Sequence, residues 1–168
     1  MKTSRRSFLQ GLLGSTIVVV LAQAERRAAA SGLEPFRASS VVISSRTGAH
    51  RFHVELAETA LQRMQGLQGR HTLDAQAGML FVLDSESVAT MWMKDTYIPL
   101  DMLFLDGSGR IVAIARDTRP MSLQPLRSPG PVKAVLELNA GTVERLGIEA
   151  GHRVLHSTVD PETPRWPR

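Results

Sequence analysis

The sequence predicts a mainly β domain, a β-sandwich or partly closed barrel of about eight short strands with two short helices. Apolar and polar residues alternate at period two through several short runs, the pattern of half-buried strands. Glycines and prolines punctuate those runs, and helix capping signals occur in two brief segments only.

The elements follow in order. Val41–Ser45 opens the set. In His50–Ala57, Phe52, Val54 and Leu56 share one face while Arg51, His53 and Glu55 share the other. Thr59 caps the first helix, and Gln62 completes a capping box. Leu61 and Met64 are expected to face inward, and Gly66 stops the helix. Met79–Leu83 is apolar on both faces and suits a central strand, with Val88–Met93 after it. Leu100–Leu105 and Ile111–Ala115 are joined by Asp106-Gly107-Ser108-Gly109, a hairpin turn in which glycine supplies a positive φ. Thr118–Pro131 carries Pro120, Pro125, Pro129 and Pro131 and reads as a long irregular loop. In Val132–Asn139, Val132, Ala134, Leu136 and Leu138 oppose Lys133, Val135, Glu137 and Asn139. Ala140, Val143 and Leu146 mark the second helix, ended by Gly147, and Arg153–Val159 is the last strand. One domain over 41–159 is expected, after a linker at 31–40 and before a loosely ordered tail at 160–168.

Residues 1–30 stand apart. Ser4-Arg5-Arg6-Ser7-Phe8-Leu9 precedes a moderately apolar run from Gly11 to Ala22. The order resembles a twin-arginine signal, read by a translocation machinery through Arg5 and Arg6 that passes folded cargo. Ala22-Gln23-Ala24 and Ala28-Ala29-Ala30 both fit a small-x-small cleavage site, and an uncleaved anchor is the third alternative. The run is too short and too rich in glycine for a stable span, which needs about 20 apolar residues. The expected location is therefore periplasmic or extracellular.

That segment also explains the charge. The chain holds 20 Lys+Arg against 16 Asp+Glu, and residues 1–30 contain five of the basic residues and one acid. From Ser31 onward the balance is 15 against 15, which gives no support for a nucleic-acid surface. With no cysteine, disulfides, thiolate metal sites and cysteine nucleophiles are excluded, so the core alone must hold the fold.

The densest motif is Met91-Trp92-Met93-Lys94-Asp95-Thr96-Tyr97-Ile98-Pro99-Leu100-Asp101. It resembles the W-M-K-N-T-x-I-P-L-D signature of domain-of-unknown-function family 192. Gly66-Leu67-Gln68-Gly69-Arg70, Gly78-Met79-Leu80-Phe81, Ser128-Pro129 and Val135-Leu136-Glu137-Leu138 are similar to further segments of that family in the same order. Asp95 stands where asparagine is usual and Gln68 where methionine is usual. The resemblance implies a compact, mostly β domain and carries no established activity.

The residues must then be weighed on their chemistry. Lys94, Asp95 and Thr96 occupy a turn after a strand, where Lys94 offers a cation, its neighbours hydrogen bonds and Trp92 a stacking surface. The same Asp and Thr would equally suit a turn that satisfies its own backbone. Asp101 lies on the face of Leu103 and Leu105, where a carboxylate needs a partner, and Arg63, Arg70 and Lys94 are the candidates. It reads either as a structural ion pair or, with Glu137, as a general base or ligand anchor. Met91 and Met93 fit strand packing better than a thioether copper site, since no histidine lies near them. His152 and His156 read as surface histidines, and Ser128, a candidate ligand-binding residue together with Arg63, Arg70, Trp92, Lys94, Asp95, Thr96, Asp101 and Glu137, lacks the context of a serine nucleophile. No metal or cofactor is expected.

The function these residues imply is an exported cell-envelope binding or accessory domain, taking an unknown small polar ligand or an envelope protein. The alternatives are a hydrolase-like envelope enzyme using Asp101 and Glu137, and an interaction module without a small-molecule site.

Overall fold

A computed structural model describes residues 35–159. The signal expected at 1–30 and the tail expected at 160–168 lie outside that range. The described strands are β1 (Arg37–Ser45), β2 (Gly48–Ala57), β3 (Ala77–Met91), β4 (Leu100–Leu105), β5 (Ile111–Thr118), β6 (Leu126–Asn139) and β7 (Arg153–Leu155). The short helices are α1 (Ala60–Gln65) and α2 (Thr142–Arg145).

All seven strands belong to one sheet in the order β5-β4-β6-β3-β2-β1-β7. Neighbours run antiparallel except β2 and β3, which are parallel. A parallel pair needs a crossover connection, and α1 lies within it. The sheet curls until its two edges touch at one end. The Ile111 amide donates to the His152 carbonyl at 2.8 Å, and the Val154 amide to the Gly109 carbonyl at 2.8 Å. Arg110 and Arg153 form the bridge between those edges. The fold is thus mainly β with two short helices, a curled half-barrel rather than a sandwich.

Strand alternation divides the core in two. Val41, Val54, Leu80, Leu103, Ile111, Leu136 and Val154, one from each strand, pack together and fill the inside of the curl. Met79, Phe81, Met102, Phe104 and Val135 lie on the opposite face of the central strands with Leu67, Met93 and Ile98. Each such side chain, fully buried, contributes about 1.5–3 kcal/mol. The central strands are buried on both faces, as their mostly apolar runs require.

Several expectations need correction. Met79–Leu83 and Val88–Met93 are not two strands: the first and most of the second, to Met91, belong to β3, so the described strands number seven. Pairing with β6 breaks between Val82 and Ser87 and then resumes, because a bulge absorbs the polar stretch between them. The ammonium of Lys133 donates to the Leu83 and Asp84 carbonyls at 2.7 and 3.1 Å, and Arg63 donates to the Val82 carbonyl at 2.8 Å. Those cations replace the ladder bonds that the bulge removes.

Half of the expected loop at Thr118–Pro131 is strand: β5 runs to Thr118 and β6 starts at Leu126, which leaves the stretch between them irregular. Pro129 and Pro131 are tolerated because a second register shift lies between Val88 and Thr90. There the Ser128 hydroxyl accepts from the Ala89 amide at 3.0 Å and donates to the Gly130 carbonyl at 2.7 Å. β1 begins at Arg37, inside the expected linker. His156 is buried rather than a surface residue, its Nε2 2.9 Å from the Ser39 hydroxyl and its Nδ1 accepting from the Thr158 amide.

Candidate functional site

The capping box of α1 is present: Thr59 Oγ1 accepts from the Gln62 amide at 3.1 Å, and Gln62 Oε1 accepts from the Thr59 amide at 3.1 Å. Gln62 also accepts from the Glu58 amide, which draws its side chain inward and buries it. With Gln62 facing the sheet, the helix turns its apolar residues out. Leu61 is 58% exposed and Met64 66%, the reverse of the expected orientation.

Between this helix and the sheet lies a cavity of about 280 Å³. One wall is α1 and the chain after it, from Ala60 through Gln68. The other is the end of β3 and the turn beyond, contributing Thr90, Met91, Trp92, Lys94 and Thr96. Phe81 and Glu137 complete the lining from the central strands β3 and β6. The walls are tied together where the Gly69 amide donates to the Asp95 carbonyl at 2.8 Å.

The turn is built from the motif that stood out in the sequence. The Thr96 amide closes it on the Met93 carbonyl at 3.1 Å, with Asp95 at φ 54° in the third position. Left-handed backbone is accessible to Asn and Asp alike, so aspartate holds this turn without the strain that most residues would carry there. Thr96 is buried, its hydroxyl 3.3 Å from the Lys94 carbonyl it bonds. Lys94 is exposed and makes no ion pair among the described residues. Trp92 is 51% exposed at the mouth of the cavity.

Gly66 shapes the opposite wall. Its backbone, at φ 48° and ψ −140°, is one that side-chain-bearing residues avoid. A Cβ there would also lie 3.2 Å from the Phe81 ring. Gly66→Ala is expected to cost about 1–3 kcal/mol in a denaturation experiment. A variant as stable as the parent would mean that this wall yields freely.

Glu137 is the chemically notable residue. It is 3% exposed, and its carboxyl makes no hydrogen bond or ion pair among the described residues. Burial alone pushes its carboxyl up to about 8, because a low-dielectric site disfavours the charged form. A buried polar group without a partner is rare and costly, and here it borders a cavity.

Of the residues selected from the sequence, Arg63, Trp92, Lys94, Thr96 and Glu137 line this cavity, and Asp95 belongs to its turn. Arg63 is already engaged: its guanidinium donates to the Glu58 and Val82 carbonyls and to the Asp84 carboxylate. Arg70, Asp101 and Ser128 lie outside the lining. Arg70 pairs with Glu55. Asp101 is buried, and no cation among the described residues holds it: its carboxylate accepts from the Asp117 amide at 3.0 Å and the Val143 amide at 2.9 Å. Gly141 caps α2 without a side chain, so a carboxylate from β4 serves the first turn instead.

Asp101 and Glu137 cannot act as a pair. Asp101 sits opposite Leu138 and Met102 opposite Glu137, and directly opposed residues share a face. The two carboxyl groups therefore point to opposite faces of the sheet. Sequence reasoning missed Met64, Phe81 and Met91 as cavity residues. The one available signal was apolar residues flanking the G-L-x-x-R segment and the Trp92 turn. Met93 lies within the core, its sulfur accepting from the Thr118 hydroxyl at 3.1 Å, as packing would have it. Among the described residues no three His, Asp or Glu side chains gather as a metal site would require.

A curled half-barrel whose crossover helix walls a cavity defines the class of domain. The chain belongs to the DUF192 family, described as an uncharacterized ACR, which matches residues 41–156. No curated protein matches it. The chain is similar to several solved structures, two of which follow. A Sinorhizobium meliloti 1021 protein, carrying a provisional transcription-regulator label, is 40% identical, with 74% of this chain and 98% of that one covered at a TM-score of 0.72. A protein of unknown function from Novosphingobium aromaticivorans DSM 12444 is 37% identical, with 72% and 86% covered at a TM-score of 0.71.

Proposed function

We propose that this protein is an exported binding domain of the cell envelope, and that its ligand is a small molecule with a polar group seated on Glu137. The observation that carries the reading is the unpartnered buried carboxyl at a cavity with an exposed tryptophan at its mouth. Folded proteins pair their buried polar groups, and an incoming ligand would supply the missing partner. The volume, about 280 Å³, lies at the small end of ligand sites. The hydrolase-like alternative loses its acid–base pair, since Asp101 and Glu137 face apart.

A thermal-shift screen of small polar molecules tests the binding reading. A ligand that fills the cavity raises the melting temperature of the parent and not of a Trp92→Ala/Glu137→Gln double variant, because only a folded site gains from it. A screen in which every hit stabilises both proteins alike would sink the proposal.

Export rests on Arg5 and Arg6, whose planar guanidinium groups a translocation receptor can read specifically. The Arg5→Lys/Arg6→Lys double variant keeps the charge and loses that geometry. It is expected to accumulate unprocessed in the cytoplasm, as fractionation would reveal. Unchanged export would overturn the twin-arginine assignment.

A further inference from the structure

We infer that the ligand of this cavity is a small monocation, an amine on an apolar body whose ammonium group pairs with Glu137. The inference rests on the binding reading above and names the chemistry it would take.

The cavity is lined by both apolar and polar side chains. Phe81, Met91, Met64 and Trp92 supply aromatic faces and thioethers, and Glu137 is the acid among them. Aromatic faces attract cations through the negative potential over the ring, and they do so more strongly where water is excluded. A buried carboxylate is costly alone and is stabilised by an opposite charge with good geometry. The described cations of the protein do not provide it. Arg63 spends its guanidinium on Glu58, Val82 and Asp84, and Lys133 reaches the Leu83 and Asp84 carbonyls. Lys94, in the turn after β3, is exposed and unpaired among the described residues.

Arg63 from α1 and Lys94 from that turn are the charged groups that line the cavity besides Glu137. The strand residues directly opposite Glu137, Met79 on β3 and Met102 on β4, carry no charge. An anionic ligand gains no opposite charge at Glu137 and, once that carboxyl ionises, meets a like charge. Lys94 at the rim acts against a dication, whose second charge would lie near it. A single positive charge with an apolar tail satisfies both constraints.

Such a ligand also has a proton signature. The Glu137 carboxyl holds its proton up to about pH 8, and an ammonium group needs the carboxylate. The proton leaves Glu137 for solvent as the cation arrives. Aliphatic amines keep their own proton in this range, as lysine does. A neutral ligand would accept the proton of Glu137 in a hydrogen bond and release none.

Calorimetry on the full-length protein with three probes of one shape separates these cases: 2-phenylethylammonium, 2-phenylethanol and 3-phenylpropionate. The ammonium probe is expected to bind tightest and to release close to one proton at pH 7, read from buffers of different ionisation enthalpy. Its affinity should rise about tenfold from pH 6 to pH 7, as a linked deprotonation requires. Glu137→Gln should weaken it at least tenfold and leave the alcohol unchanged. Equal binding of amine and alcohol without proton release would overturn the inference and leave the cavity reading intact. So would preference for the propionate, which would assign recognition to Lys94. No binding by any probe would overturn the inference and count against the cavity as well.

Discussion

Glu137→Gln is expected to stabilise the domain increasingly as pH rises. In the unfolded chain the carboxyl ionises near its ordinary value of 4.5, whereas burial in the native state holds the proton until about 8. Between those values the native state carries one proton more than the unfolded state. Stability of the parent therefore falls as pH rises, by about 1.4 kcal/mol per pH unit from this group. The loss begins above the unfolded value and is complete once pH passes the folded one. Glutamine has no proton to lose and keeps a similar shape. The gap between variant and parent should open from near zero at pH 4.5 to several kcal/mol at pH 8.

His156 gives the opposite slope. Burial first, and then the nearby Arg37, lower its value, while Glu58 raises it in part. Its contribution is lost as pH falls below the ordinary range near 6.5, through its lower folded value. Both proteins share that term, so it cancels in the difference. Urea denaturation at four or five pH values measures the gap directly. Parallel curves would mean that Glu137 is solvated or paired in solution.

Asp101→Ala is expected to destabilise the domain by about 3–5 kcal/mol, since a buried amide and a partly buried one lose a charged acceptor at once. The affected amides belong to Asp117, at φ 46° opposite a break in the β4–β5 register, and to Val143 in the first turn of α2. Asp101→Asn keeps one carbonyl oxygen and should lose roughly half as much. Ligand binding by either variant, measured where it is folded, should match the parent, because Asp101 does not line the cavity. Loss of binding in a folded Asp101→Asn protein would contradict its placement as an architectural residue.

These two carboxylates also mark how far the sequence can be read. Period two placed Asp101 beside Leu103 and opposite Met102, and that alternation holds in β4. Its partners were misread because backbone amides leave no trace in residue identity, whereas arginines do. The turn from Met93 to Thr96 and the capping box were legible because their chemistry is local. The orientation of α1 was not. Leu61 and Met64 resemble a buried stripe, yet Gln62 turns inward to complete its own cap. The bulge in β3 was equally hidden, since Lys133 and Arg63, distant in sequence, satisfy the carbonyls it frees. The cavity arises from those long-range choices, so its polar members could be named individually and its shape could not.

The seam between β7 and the start of β5 has a consequence for the order of synthesis. Every residue lining the cavity precedes Asn139, so a nascent chain has the whole site once β6 has emerged from the ribosome. It does not yet have the strand that pairs Val42 and Ile43 with Leu155 and Val154, nor the edge contact at Ile111. Contacts this distant in sequence form late, after the loops between them have closed. A ribosome-stalled chain ending before Arg153 would carry every cavity residue on a barrel that cannot shut, and its interior would remain open to chaperones until the last strand arrived.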